Sequence, residues 1–448
     1  MLSCYSRQAE LFFVVILSQM KQPPLSAPKH LCQRLWSMVR GNRLVLENFL
    51  SLGLINVLNS SFHLIIYPIL IHRVGAEAYG EYVYAFSIVA YFITLVTYGL
   101  DMIGTRYLAR YDQQGDLAGK SDITSLMLSS RLYLLLLSFL LFLPIVLWVE
   151  VLATYRSLLW ASFLSVVACV LMPNWYFIGI QRTRIYLYIQ IAVKVLLAVA
   201  IILWVLSPDD MALYVLLASA SNILSAGVSF VYLIWREKLS LYLVSLGKSL
   251  ALLREATPLF LSYLVMTVKS AGLNLVIGSL FGMTSLTGYD FSMKIVSVVM
   301  YITKQLNVAL FPSVSTSYTT ERIRKILRGE LLMGIACMAA LMLMAKPIIW
   351  IMGNGPIEEL ILPVFLPMTA LIPIWLISGF FIELVLTANG RNREVFINQL
   401  LSLAVIALGA LVAVLLHVEL IAFVVIVILS GLIEIAFLYA TGRRRALI

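Results

Sequence analysis

The sequence is poor in charge, poor in cysteine and without a long polar stretch, and each shortage removes a class of protein. Only 12% of its residues are charged while 62% are hydrophobic, a balance that ordinary soluble domains do not reach. The four cysteines are Cys4, Cys32, Cys169 and Cys337. None forms a C-x-x-C pair, which argues against a disulfide framework or a structural zinc site. No G-x-x-x-x-G-K-[ST] segment occurs, so nothing marks a nucleotide-driven pump. The formal net charge of +10 invites a nucleic-acid reading. The basic residues are scattered through loops rather than gathered on one stripe, and no nucleic-acid partner is expected.

What the chain has is about twelve apolar stretches, each near 20 residues, separated by short charged loops. A helix needs roughly 20 residues to cross a hydrocarbon core of about 30 Å. Lipid offers no partner to an unpaired backbone N–H or C=O, so only helices and closed barrels span. Continuous rather than alternating apolar runs exclude barrel strands. The predicted fold is an all-α polytopic membrane protein with spans at 50–71, 82–103, 126–149, 158–178, 185–206, 211–235, 259–281, 289–309, 331–352, 360–386, 396–416 and 419–439.

Charge placement orients these spans. With the N-terminus inside, 24 of the 32 basic residues fall in cytoplasmic segments and only Arg73, Arg156 and Lys346 fall outside. The excess of Lys and Arg in short inner loops predicts cytoplasmic termini at both ends. The outer loops are all short, which leaves no room for the groups of a membrane sugar polymerase or ligase.

Four regions follow. Residues 1–48 read as an extension: the apolar run 11–18 is too short to span, and Pro23, Pro24 and Pro28 break any helix. Its first 37 residues read as dispensable, with a start at Met20 or Met38. Residues 49–235 and 258–448 form two lobes of six spans each, joined by an interfacial connector at 236–257. A shift of 207 residues lays Gly75 on Gly282 and Tyr82 on Tyr289, the mark of an internal repeat. Two-lobed repeats place the substrate path between the lobes.

Five cations fall inside spans: Arg131, Lys194, Lys269, Lys294 and Lys304. A charge at the bilayer centre costs roughly 2.5–3.5 kcal/mol on insertion scales unless it meets water or a partner. Arg131 is near enough to a helix end to snorkel. Asp290, four residues before Lys294, is its natural helical partner. Lys194, Lys269 and Lys304 have no such neighbour in sequence. We therefore expect Lys194, Lys269, Lys294 and Lys304 to line a water-filled, substrate-binding path for anions. Asn56 and Asn274 are expected to hydrogen-bond between helices first and to contact sugar in the substrate site second. The acids inside spans, Asp101, Asp290, Glu383 and Glu434, are the candidates to carry a coupling ion. Pro363, Pro367 and Pro373 should bend the tenth span.

Several motifs carry a resemblance. Asn56…Tyr67-Pro68…Gly75…Tyr79-Gly80-Glu81-Tyr82 followed by Tyr98-Gly99-Leu100…Gly104-Thr105-Arg106 resembles the opening of the Wzx-type O-antigen flippases. These form part of the polysaccharide transport branch of the multidrug/oligosaccharidyl-lipid/polysaccharide exporter superfamily. Pro173-Asn174-Trp175-Tyr176-Phe177-Ile178-Gly179 is similar to that family's P-x-W-Y-F-Q-G element, with Ile178 in the place of glutamine. Gly288-Tyr289…Lys294 through Phe311-Pro312 resembles the start of the second half. The resemblance implies a two-lobed, drug-exporter-like fold and no enzymatic activity. It implies flipping of an undecaprenyl-pyrophosphate-linked oligosaccharide across the inner membrane by alternating access, coupled to H⁺ or Na⁺, with no other cofactor. It further implies membrane lipid, a polysaccharide polymerase and a chain-length regulator as partners. A cation-exporting drug antiporter of the same superfamily is the alternative and would want more cavity acids than cations. A membrane glycosyl polymerase or ligase would need the missing outer loop.

Overall fold

The computed structural model describes residues 43–316, 320–352 and 356–445, with the side chains of 43–61, most of 302–316 and 351–360 set aside. Residues 1–42, and so nearly all of the expected extension, lie outside that description. Among the described residues the chain is helical, without strands. Helix α1 is Arg43–Thr97, α2 Leu100–Gln114, α3 Leu117–Trp148, α4 Arg156–Leu171, α5 Asn174–Gly179, α6 Thr183–Trp204 and α7 Met211–Glu237. Then come α8 Leu246–Phe281, α9 Met283–Thr316, α10 Thr320–Leu343, α11 Ala345–Met352, α12 Pro356–Met368, α13 Leu371–Phe380, α14 Asn392–Leu415 and α15 Leu420–Arg444. A π-helix, Phe381–Thr387, extends α13. The expected class holds: this is an all-α polytopic membrane protein.

Ten segments among the described residues are long and apolar enough to cross a membrane. The expected twelve differ in two places. The first span and most of the second lie in one helix, α1, broken at Gly75, and the second ends in α2. The eighth lies in α9, whose later side chains are outside the description. Gly75 has φ 85° and ψ 163°, and Gly282, between α8 and α9, has φ 86° and ψ 167°. Only glycine adopts that backbone region without strain. The two positions brought together by the 207-residue shift thus make the same bend.

Leu239, Leu243, Leu246, Leu250 and Leu253 recur at helical spacing and predict one interfacial helix for the connector, but its first part is not helical. Residues 239–245 run extended along α3, and α8 then begins at Leu246 and continues through Pro258 into the seventh span. The extended strap would leave its backbone N–H groups unpaired. Three serines on α3, spaced four apart, meet that need. Ser121 Oγ accepts from Ser240 N (3.2 Å), Ser125 Oγ from Tyr242 N (3.2 Å) and Ser129 Oγ from Val244 N (2.9 Å). Four helical residues rise about 6.0 Å and two extended ones about 6.6 Å, so the two repeats stay in register. Tyr133 closes the top by donating to Val244 O at 2.9 Å.

Arg131 does not snorkel. It is only 2% exposed, pairs with Asp101, and donates to Cys169 O (3.2 Å) and Met172 O (2.9 Å). Pro173 stops α4 and leaves those last carbonyls without an intrahelical donor, at the helix end where a cation is favoured. The tenth span breaks where prolines predicted a bend: α12 ends at Met368 and α13 starts at Leu371. Glu237 at the end of α7 binds Arg182 at 3.1 Å and Lys120 at 3.3 Å.

Candidate functional site

Helices α1 and α2 pack against α8 and α9 along a seam, and that seam sets the site. At the Gly75/Gly282 end the approach is backbone to backbone. A methyl group on Gly80 would stand 2.0 Å from the Met283 carbonyl oxygen. Thr287 Oγ1 donates to Ala76 O at 2.5 Å, and Tyr84 and Ser279 share a hydrogen bond of 3.0 Å. Toward the other end Tyr98 stacks on Phe260 with ring centroids 4.2 Å apart, and Arg106 pairs with Glu255.

Between these contacts lies a cavity of about 330 Å³, walled by α1, α4, α6, α7, α8 and α9. Four of the predicted site residues line it: Lys194 from α6, Asn274 from α8, and Asp290 and Lys294 from α9. Lys294 Nζ lies 2.6 Å from Asp290 Oδ2, one helical turn away as the spacing predicts. Tyr79 donates to the same oxygen at 3.2 Å and accepts from Lys294. The cavity's carboxylate is therefore neutralised by its own neighbours. Lys194 has no carboxylate partner among the described residues; its Nζ sits 4.8 Å from the centre of the Phe62 ring. Asn274 Nδ2 donates to Ser87 Oγ at 3.1 Å, an interhelical bond across the seam.

The remaining predicted residues are elsewhere. Lys269 does not line the cavity: its Nζ is 2.6 Å from Glu434 Oε1, and Ser378 donates to the other carboxylate oxygen at 3.2 Å. One pair thus consumes a predicted cavity cation and a predicted coupling acid. Asp101 is taken up by Arg131. Glu383 lies in the π-helix. The side chains of Asn56 and Lys304 lie outside the described residues, so the expected ladder of Lys294 and Lys304 is described only at its first rung.

Sequence reasoning missed the aromatic wall. Tyr67 stacks on Phe291 (4.3 Å) and meets Tyr79 edge-on (5.0 Å); Tyr79 meets Tyr82 (5.7 Å), and Tyr82 meets Tyr214 (5.5 Å). Tyr82 and Tyr214 face the cavity. The signal was present as the run Tyr79, Tyr82 and Tyr84 in one helix, but it reads equally well as core. A larger groove of about 480 Å³, lined by Phe92, Leu95, Phe260 and other apolar residues, holds no charged side chain. The chemistry belongs to the smaller, polar cavity. One unpaired ammonium, a neutralised carboxylate, amide and hydroxyl groups, and tyrosine faces together suit an anionic ligand that also carries hydroxyl groups.

Comparison with known proteins gives a family and a fold. The sequence model of the family described as "Polysaccharide biosynthesis protein" matches residues 45–318. The chain is 20% identical over 293 residues to an Escherichia coli K12 protein named "Putative O-antigen transporter", covering 64% of this chain and 69% of that one. The fold is similar to the inward-facing form of a multidrug resistance MATE family transporter of the MOP superfamily. There the TM-score is 0.62 at 15% identity, over 87% of this chain and 95% of that one. It is also similar to an outward-facing form, at a TM-score of 0.62 and 17% identity over 91% and 96%. A MOP superfamily transporter from Pyrococcus furiosus, titled for the reverse polarity of its binding pocket, gives 0.56 at 16% identity over 89% and 95%.

Proposed function

Because the chain belongs to the polysaccharide biosynthesis protein family, we propose that it is a flippase. Its cargo is a lipid-linked sugar repeat unit, carried from the cytoplasmic to the periplasmic leaflet of the bacterial inner membrane. The observation that carries this reading is Lys194: among the described residues it is a cation without a carboxylate partner, in a cavity whose acid, Asp290, is already bound by Lys294 and Tyr79. Such a cavity has a positive field. It favours a pyrophosphate or an acidic sugar and disfavours the cationic drugs that the alternative reading requires. Tyrosine faces and the Asn274 and Ser87 groups then serve the sugar.

The cavity is small against the cargo. About 330 Å³ fits a headgroup at the lower end of small-molecule sites, so the sugars need a wider path during transport. Opening the seam supplies one. In this proposal residues 49–235 and 258–448 are the two moving lobes, supported by the matched bends at Gly75 and Gly282. Alternating access would loosen first one end of the seam and then the other, driven by H⁺ or Na⁺. A polymerase and a chain-length regulator would act downstream.

The test is surface polysaccharide display in a strain that lacks this transporter. Lys194→Ala should abolish display at unchanged protein level in the membrane, while Lys194→Arg should retain part of it because charge matters more than shape in a hydrated cavity. Normal display by Lys194→Ala would refute the cationic-cavity reading.

A further inference from the structure

We propose that the apolar groove between α1, α3 and α8 seats the hydrocarbon tail of the same lipid-linked cargo whose anionic head the polar cavity takes. Head and tail then bind at two adjoining places on one seam. The inference rests on the flippase reading for the identity of the cargo.

The groove and the cavity follow one another along the same helix faces. On α8, Phe260, Leu264, Thr267, Ala271 and Asn274 recur at steps of four, three, four and three, which is one face of a helix. Phe260 and Leu264 line the groove, whereas Ala271 and Asn274 line the cavity. On α1, Ser87, Tyr91 and Leu95 recur at steps of four; Ser87 lines the cavity, and Tyr91 and Leu95 line the groove. From Leu264 to Asn274 the helix rises about 15 Å, half the thickness of a hydrocarbon core and so about the length of one lipid tail.

Polarity changes along that stripe as it does along an amphipathic lipid. Among the residues that line the groove, Tyr91 alone carries a polar side-chain group. Its hydroxyl lies at the cavity end, 3.3 Å from where a Cβ on Gly272 would stand. A shared hydrogen bond of 2.7 Å between Thr94 and Thr267 crosses the seam at the same level. Tyr91 and this bond form the partition between the two sites. The groove is preformed, because Phe92 in its wall is held by Phe142 and Phe163, with ring centroids 5.5 and 6.0 Å away. It opens outward, since Leu141 on its α3 side is 47% exposed.

Bilayer tails are as apolar as this wall, so burial alone does not select an occupant. The position of the head does. An anionic head held near Lys194 places its own tail at the mouth of the groove, which makes the second contact intramolecular. A phospholipid, with its head at the membrane surface, has no such tether.

The experiment uses the purified full chain in phosphatidylcholine nanodiscs and two photoreactive probes. One is undecaprenyl pyrophosphate with a diazirine in its tail; the other is phosphatidylcholine with a diazirine in an acyl chain. Labelled peptides are read by mass spectrometry. The polyprenyl probe should label 91–95, 141–145 and 260–264 in preference to other lipid-facing segments, and excess unlabelled undecaprenyl pyrophosphate should remove that label. Leu264→Trp, which fills the groove, should lose most of it. Leu141→Trp, at a half-exposed position, is a second block, and either variant with an unchanged unfolding midpoint suffices. Label that resists competition, equal labelling by the phosphatidylcholine probe, or wild-type labelling in a folded tryptophan variant would overturn the proposal and make the groove an ordinary lipid contact. Lys194→Ala separates the two readings. Normal polysaccharide display by that variant, with competed groove label retained, counts against the cationic cavity alone. Lost display, with no competed groove label in the wild type, counts against the groove alone.

Discussion

The Lys269–Glu434 pair allows a decisive perturbation, because two readings of Lys269 predict opposite outcomes. The ammonium and carboxylate are 2.6 Å apart, and their side chains are 21% and 9% exposed. Replacing Lys269 by Met removes one charge and strands the other beside Ser378. Breaking a buried pair costs about 3–5 kcal/mol, whereas replacing both members by apolar groups is often neutral. Lys269 keeps partial access to solvent, so the low end, about 3 kcal/mol, applies. That corresponds to roughly a hundredfold shift in the folding equilibrium. Lys269→Met should lower the thermal unfolding midpoint of the purified protein and its level in the membrane. The double variant Lys269→Met/Glu434→Met should recover most of the loss, a coupling of about 2–3 kcal/mol between the sites. If the two single losses simply add, the pair is not the interaction described. If Lys269→Met is as stable as the wild type yet display of polysaccharide is lost, Lys269 acts on substrate and the structural assignment fails.

Three further outcomes are expected. Gly80→Ala should destabilise the protein by about 1–3 kcal/mol through overpacking, since its methyl would meet the Met283 carbonyl at 2.0 Å; an unchanged unfolding midpoint would refute the close seam. Arg131→Met should cost more than the double variant Arg131→Met/Asp101→Asn, because the single change leaves a carboxylate unpaired; equal unfolding midpoints would count against the pair. Alanine at Ser121, Ser125 and Ser129 together should cost about 1 kcal/mol per lost hydrogen bond and speed limited proteolysis between Leu239 and Ser245; a cleavage rate equal to the wild type would refute the anchoring role.

What was legible in the sequence was whatever a local pattern encodes. Continuous apolar runs gave the helices, and the cost of charge in lipid singled out Lys194 and Lys294, both of which line the cavity. The Asp290–Lys294 pair was legible because its members are one turn apart. Lys269 and Glu434 are separated by 165 residues, and no periodicity links them; the lysine therefore looked unpaired and was assigned to the path. Arg131 was misread for the same reason, since its carbonyl acceptors on α4 become orphans only once Pro173 ends that helix. The serine repeat on α3 carries no signal of its own in the sequence, and only the extended path of the strap reveals it as a row of acceptors.

That row also settles where the chain can give. A peptide of seven residues stretched between two halves of a protein would ordinarily act as slack, lengthening or crumpling as the halves move. Here the slack is already spent: each alternate residue from Ser240 to Val244 is fastened to a turn of α3. The free joint shrinks to the step from Ser245 into Leu246. On this face, then, the later helices can swing about a fixed pin but cannot slide away from the earlier ones. The length that alternating access would need has to come from the seam between the helices, not from this strap.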